Sequence, residues 1–167
     1  MNLFILQYYN EWLEWEMLPI GIYLTEEETN QALELKNQLK AKGKLLLGVH
    51  TTSGNSSPNL SVSAYRKLIE LLLENKNYEV LVTDLNPEKE IRNIDGVKYI
   101  FGGCSLRSNI IKFSILDVLI SNSTGPMHIC SALKVPTFSV FCTVSACSKE
   151  LWGPLGNRSF ILEPSKS

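Results

Sequence analysis

The chain has 167 residues, 44% of them hydrophobic and 20% charged, with sixteen basic against seventeen acidic side chains. That length suits one domain whose core needs no disulfide or metal as a staple, and the near-neutral balance argues against a basic nucleic-acid surface. Glu and Asn interrupt every apolar run, so none approaches the roughly 20 residues of a membrane span, and the composition excludes wholesale disorder.

The charges are uneven. Residues 1–35 carry seven Glu and neither Lys nor Arg, which leaves the remainder with a surplus of bases. Such a surplus suits an anionic small ligand as readily as a solvated surface. The four cysteines, Cys104, Cys130, Cys142 and Cys147, form no C-x-x-C pair and no zinc-finger spacing with His50 or His128, so no metal site is expected. The opening MNLFILQYYNEWLEWE is apolar but lacks a basic leader and runs into acids, unlike a signal peptide. Reduced thiols and a cytoplasmic location follow as expectations.

Taken in order, residues 1–20 gather Tyr8, Tyr9, Trp12 and Trp15 with little polar cover, as in a short amphipathic helix that packs on a partner or on a second copy. Residues 26–42 carry acids first and lysines last, which complements the helix dipole. Thr25 is placed to cap this helix, with Glu28 closing a capping box. Residues 1–43 are read as a connecting segment and 44–167 as the main domain. From residue 44 the pattern alternates. KLLLGVH (44–50) reads as a buried parallel strand, and 63–76 as a helix with Tyr65, Leu68, Ile69 and Leu72 on one face. YEVLVT (78–83) is the next strand, followed by a short helical turn over 87–93. VKYIF (97–101) is a strand, 106–116 a helix and DVLIS (117–121) a strand. MHICSAL follows as a helix, then TFSVF (137–141) and SFILE (159–163) as strands. Alternation of this kind predicts an α/β fold, a Rossmann-like parallel sheet flanked by helices, with its ligand at the carboxyl ends of the strands.

Three loops at those ends carry polar groups. In S-N-S-T-G-P-M-H (121–128) a strand leads in and a helix leaves. Pro126 suits the first helical turn, Ser123 or Thr124 can cap, and Gly125 permits close approach to a ligand. The first N–H groups and the helix dipole make a phosphate site, with His128 one turn in; a plain capped helix with a packed histidine fits the same residues. H-T-T-S-G-N-S-S (50–57) offers hydroxyls and flexible backbone to an anion, although it is neither a Walker A loop nor G-x-G-x-x-G. T-D-L-N-P-E-K-E (83–90) places acids where a ribose is often held, or simply in solvent. There is no G-x-S-x-G elbow, no H-E-x-x-H and no Cys/His nucleophile pair.

From about residue 44 to about 154 the chain resembles the C-terminal half of glycosyltransferase family 9, the ADP-heptose:lipopolysaccharide heptosyltransferases and their relatives. The resemblance rests on G-V-H-T-T-S-G-N-S-S-P-N-L (48–60), T-D-L-N-P-E-K-E, D-V-L-I-S-N-S-T-G-P-M-H-I-C-S-A-L (117–133), V-P-T-F-S-V-F (135–141) and L-W-G-P (151–154), in the family's order and spacing. It implies the C-terminal, donor-binding domain of a GT-B glycosyltransferase, whose N-terminal domain binds the acceptor and supplies the base. It also implies inverting transfer without a protein-bound metal. The implied donor is a nucleotide-sugar, ADP-linked in the namesake enzymes, and the acceptor a lipopolysaccharide-type glycan. The enzyme would be cytoplasmic or peripheral to the inner membrane.

Carried over by position, Thr51 and Thr52, with Ser53 beside them, would face the donor diphosphate. Glu88 would meet the ribose, and Ser123, Thr124, Gly125 and His128 would line the donor sugar and phosphates. Two departures stand out: Pro58 occupies the place of a frequent family lysine, and Ser123 that of a frequent aspartate. Only 43 residues precede the first strand, against roughly 150 or more in a complete member. The expectation is therefore of a donor half that is inactive without an acceptor domain or companion chain, and with no catalytic residue of its own assigned. The alternative is a degenerate nucleotide-sugar-binding module without catalysis. A nucleotide-dependent reductase is disfavoured by the missing G-x-G-x-x-G.

Overall fold

The computed structural model describes residues 20–54, 58–103, 105–142 and 144–163. The aromatic cluster Tyr8, Tyr9, Trp12 and Trp15 lies outside the described residues.

Six parallel strands form one sheet: β1 (Leu45–Val49), β2 (Tyr78–Val82), β3 (Val97–Tyr99), β4 (Val118–Asn122), β5 (Thr137–Val140) and β6 (Ser159–Leu162), in the order β3-β2-β1-β4-β5-β6. Between them run α1 (Glu26–Leu39, ahead of β1), α2 (Val62–Glu74), α3 (Leu106–Ser114), α4 (Gly125–Ala132), a 3₁₀ turn over Ser145–Cys147 and the one-turn α5 (Lys149–Trp152). This is the doubly wound sheet expected from the alternating pattern. The strand order reverses direction between β1 and β4, which defines the topological switch point.

Strand residues alternate between two cores. Leu46, Leu81 and Leu119 join Ala32 of α1, Phe113 of α3 and Cys130 of α4 on one face. Val49, Val80 and Val82 join Tyr65 and Ile69 of α2 on the other, with Ile91 and Ile94 of the following turn. Burial pushes the Cys130 thiol pKa up, in keeping with a packed core thiol. On the outer side, Phe138 and Phe160 stack with centroids 4.8 Å apart and tie β5 to β6.

The acidic helix α1 forms with the capping box read from the sequence. The Thr25 hydroxyl accepts from the Glu28 N–H at 3.2 Å, and the Glu28 carboxylate accepts from the Thr25 N–H at 2.8 Å. Arg107 of α3 grips the same carboxylate at 2.6 Å, and this guanidinium holds the Glu28 pKa down at about 2. Leu24, Leu35 and Leu39 pack on the first core, so the described part of the connecting segment lies against the sheet domain.

The helix stops at Leu39, three residues short of the expected end. Lys40 takes an extended conformation, and its ammonium reaches Asp117 at 2.8 Å, as does that of Lys36. Asp117 also accepts from the Leu46 N–H at 2.8 Å. One carboxylate thus ties α1 to the start of β1 and the entry to β4. Over 87–93 the chain makes a single turn closed by Ile91 and Arg92 N–H groups on the Glu88 carbonyl, ending in left-handed backbone at Asn93, where φ is 58°.

Burial alone would raise the Asp117 pKa, but the Lys36, Lys40 and Leu46 donors outweigh it and hold the carboxyl below its ordinary value. Asp117→Asn is expected to lower stability by about 1–3 kcal/mol at pH 7. A depressed folded-state pKa contributes stability above the unfolded-state value that is lost as pH falls through the folded one. The difference between wild type and variant in urea unfolding should therefore shrink below about pH 4.

Candidate functional site

At the switch point, β1 and β4 run side by side with Gly48 opposite Leu119 and Val49 opposite Ile120. Their carboxyl ends deliver the loop 50–54 and the turn 123–125 to neighbouring positions. The turn opens α4, and Gly125 forms a wall common to two clefts.

The smaller cleft, about 250 Å³, is lined by Ser123, Thr124, Gly125 and His128 on one side and by Ala146, Cys147 and Trp152 on the other. The Trp152 indole N–H donates to the Ala146 carbonyl at 2.9 Å and fixes that far wall. The larger cleft, about 520 Å³, is lined by His50, Thr52, Thr83, Leu85 and Asn86, and across from them by Phe101, Asn109, Phe113, Gly125 and Ile129. It is apolar and aromatic, with a few amide and hydroxyl groups, as in small-molecule sites generally.

Thr124 sits at the N-cap of α4 in extended backbone, yet its side chain makes no capping bond. The hydroxyl is buried and has no partner among the described residues. The side-chain cap expected at Ser123 or Thr124 is thus missing at Thr124. The first N–H groups of a helix have no partner inside it. Here Pro126 supplies none, and Met127 and His128 bond to the Thr124 carbonyl at 3.1 and 3.4 Å, which leaves the Gly125 N–H. A Cβ built on Gly125 would meet nothing within 4 Å, so the position opens onto empty space. An orphan hydroxyl, an N–H at the positive end of a helix dipole and open space beside them suit an oxygen-rich anion.

The loop after β1 carries the polar groups expected to face a diphosphate. Thr51 and Thr52 turn their donors inward, onto the buried carboxylate of Asp84 at the end of β2. One carboxylate oxygen accepts from the Thr51 N–H at 2.9 Å and the Thr51 hydroxyl at 3.0 Å. The other accepts from the Thr52 N–H at 3.0 Å and the Thr52 hydroxyl at 2.8 Å. Ser53 is buried next to them. Glu88 is exposed on the turn beyond β2, where its carbonyl serves that turn; Leu85 and Asn86 of the same loop line the cleft instead. Ser123, Thr124, Gly125 and His128 are brought together at one cleft, and Thr52 and Gly125 at the other.

Asp84 and Asn122 were not singled out in the sequence. Asn122 accepts from the Tyr65 hydroxyl at 2.9 Å and donates to the Pro58 carbonyl at 2.9 Å. It therefore pins α2 and the end of the loop after β1 to β4. The clues were an acid directly after a buried strand and an amide directly before the S-T-G turn. No lysine or arginine is found among the described residues lining the two clefts, and no group of three or more metal-ligating side chains is found among the described residues.

Desolvation lowers the His50 pKa although Asp84 opposes it, and the Nδ1 atom lies 3.0 Å from the Thr83 hydroxyl. Desolvation also lowers His128, on the rim of the smaller cleft. Both shifts favour the neutral imidazole.

A family model for glycosyltransferase family 9 (heptosyltransferase) matches residues 9–165. A candidate glycosyltransferase of Haemophilus influenzae is 26% identical over 147 residues, which are 83% of this chain and 42% of that protein. The chain therefore spans about two-fifths of the length of the curated relative it matches. Among solved structures, a family 9 glycosyl transferase from Veillonella parvula superposes with a TM-score of 0.71 at 17% identity, over 86% of this chain and 42% of that one. ADP-heptose lipopolysaccharide heptosyltransferase II of E. coli gives 0.65 at 16%, over 89% and 46%. A second E. coli heptosyltransferase, solved with ADP, gives 0.62 at 16%, over 79% and 42%. These likenesses show a shared fold.

The histidine shifts set a pH dependence. A depressed folded-state pKa means that the unfolded chain takes up a proton the folded chain resists. Stability should be full above the unfolded-state value of about 6.5 and fall as pH drops below it. In urea unfolding at pH 7.5 and 5.5, His50→Gln should lose less stability over that interval than the wild type, with His128 supplying the remaining slope.

Proposed function

The chain belongs to glycosyltransferase family 9, and we propose that it is the donor-binding part of a heptosyltransferase-type enzyme. On this reading it holds a nucleotide-sugar, ADP-linked as the first choice, for transfer to a lipopolysaccharide-type acceptor. The single observation that carries the reading is the α4 turn at the switch point. There the orphan Thr124 hydroxyl, the Gly125 N–H and the space over Gly125 converge between two clefts.

The division of the site follows from chemistry. The larger, apolar cleft with Phe101 and Asn86 suits the flat nucleoside end. The α4 turn suits phosphate oxygens. The smaller cleft, with Ser123 and His128, suits the hydroxyl-rich sugar. Asn86 is on the wall of the larger cleft and Glu88 is not among its lining residues, so Asn86 joins Glu88 as a ribose partner on this reading.

Transfer in this family's fold takes place between two domains. The acceptor site and the base would come from residues other than those of this sequence, or from a companion chain. A nucleotide-sugar-binding module without catalysis is the second reading. It is favoured by one observation, that the described cleft walls carry no lysine or arginine to neutralise a diphosphate.

Calorimetric titration of the chain with ADP, UDP and GDP, free and sugar-linked, tests the reading. One base should bind. Gly125→Val should leave unfolding stability within about 1 kcal/mol, since the exposed first turn of α4 has room for the side chain, and weaken nucleotide binding tenfold or more. A folded chain that binds none of the six would overturn the donor-site reading.

A further inference from the structure

We propose that Asp84 is a charge-selecting residue: its carboxylate occupies, from within the chain, the anion cradle formed by Thr51 and Thr52, and so penalises a bound nucleotide in proportion to its phosphate charge. The inference rests on the nucleotide-site reading above and deepens it.

Two successive N–H groups and two hydroxyls converging on one point make a nest for an anion. In this chain the nest already has an occupant. Each Asp84 oxygen takes one N–H and one hydroxyl at 2.8–3.0 Å, the Thr51 N–H also reaching the second oxygen at 3.2 Å, and the residue is only 4% exposed. A phosphate presents a similar pair of charged oxygens, and a donor proton that serves Asp84 is not available to it. Phosphates at this switch point are thus left to the α4 turn.

Among the described residues no lysine or arginine forms a salt bridge with this carboxylate. Its ion-pair contact among them is with His50, whose Nδ1 lies at 3.5 Å, and desolvation shifts that imidazole toward its neutral form. The Tyr65 hydroxyl, which feels the Asp84 charge, is held protonated by burial. Thr52 and Thr83, on either side of Asp84, both line the larger cleft, so the field of this carboxylate acts directly on a ligand there. In a partly desolvated cleft a single nearby charge of the same sign is worth about tenfold in affinity or more.

The test compares adenosine, AMP and ADP as ligands of the wild type and of Asp84→Asn, which removes the charge and keeps the shape. The expected result is a gain of tenfold or more for ADP, a smaller gain for AMP and no change for adenosine. A purely structural role would move all three together, and weaker ADP binding by the variant would overturn the proposal. Should Asp84→Asn fail to fold, Thr52→Val decides. Its hydroxyl is spent on Asp84, so ADP affinity should stay within about threefold, whereas a tenfold loss would show that the hydroxyl serves the ligand and would overturn it.

Inorganic pyrophosphate, followed by the amide NMR signals, needs no base recognition and separates this proposal from the nucleotide reading. In the wild type the Gly125 signal should move while Thr51 and Thr52 stay. In Asp84→Ala, which removes the occupant from the cradle, Thr51 and Thr52 should move as well. Movement of Thr51 and Thr52 in the wild type, or their silence in a folded variant, would overturn the proposal whatever the nucleotides do.

Discussion

The pairing of β1 with β4 is the constraint on which the site depends. These two strands are far apart in sequence, yet their register sets Gly48 against Leu119 and delivers two loops to one place. The pairing needs a thin strand. A Cβ on Gly48 would come within 2.5 Å of the Leu116 side chain and 3.2 Å of Leu119 and Thr83, so the absence of a side chain lets the segment between α3 and β4 close over the sheet. The clefts on either side of Gly125 inherit their walls from that closure: Phe113 of α3 lines one, and the α4 turn separates the two.

Around the switch point the polar groups divide into two kinds. Those of the loop after β1 are satisfied internally, with Asp84 taking the donors of Thr51 and Thr52 and Asn122 linking Tyr65 to Pro58. The Thr124 hydroxyl of the α4 turn is not: it is buried with no partner among the described residues. Burying a hydroxyl with no hydrogen bond carries a cost, and a fold that bears it beside a cleft is prepared for a ligand. The rigid part of the site thus lies on the β1 side and the receptive part on the β4 side.

Much of the fold was legible because β1 is a short continuous apolar run, which marks burial on both faces, and strand-like segments alternate with helical ones after it. The capping box at Thr25 and Glu28 was equally legible, since it depends on residues three apart. What escaped was non-local. Glu88 drew attention as the acid of its loop, whereas Asp84, four residues earlier, is the one that the fold buries. Its partners lie 32 and 33 positions away, so only the parallel register of β1 and β2 reveals them. Lys36 and Lys40 read as helix-end charges that complement the dipole, yet both turn toward Asp117. The helix ends early because the second of them leaves the helical path to do so.

The Asp117 knot joins residues 71 to 81 positions apart. Contacts of such separation close large loops and tend to be late events in folding, after the local helices and the β1–β2 unit have formed. Interactions that form after the rate-limiting barrier leave the folding rate almost untouched and govern how fast the native state comes apart. The expected effect of the knot is therefore on the rate of unfolding, and with it on the time for which the two loops at the switch point stay in register.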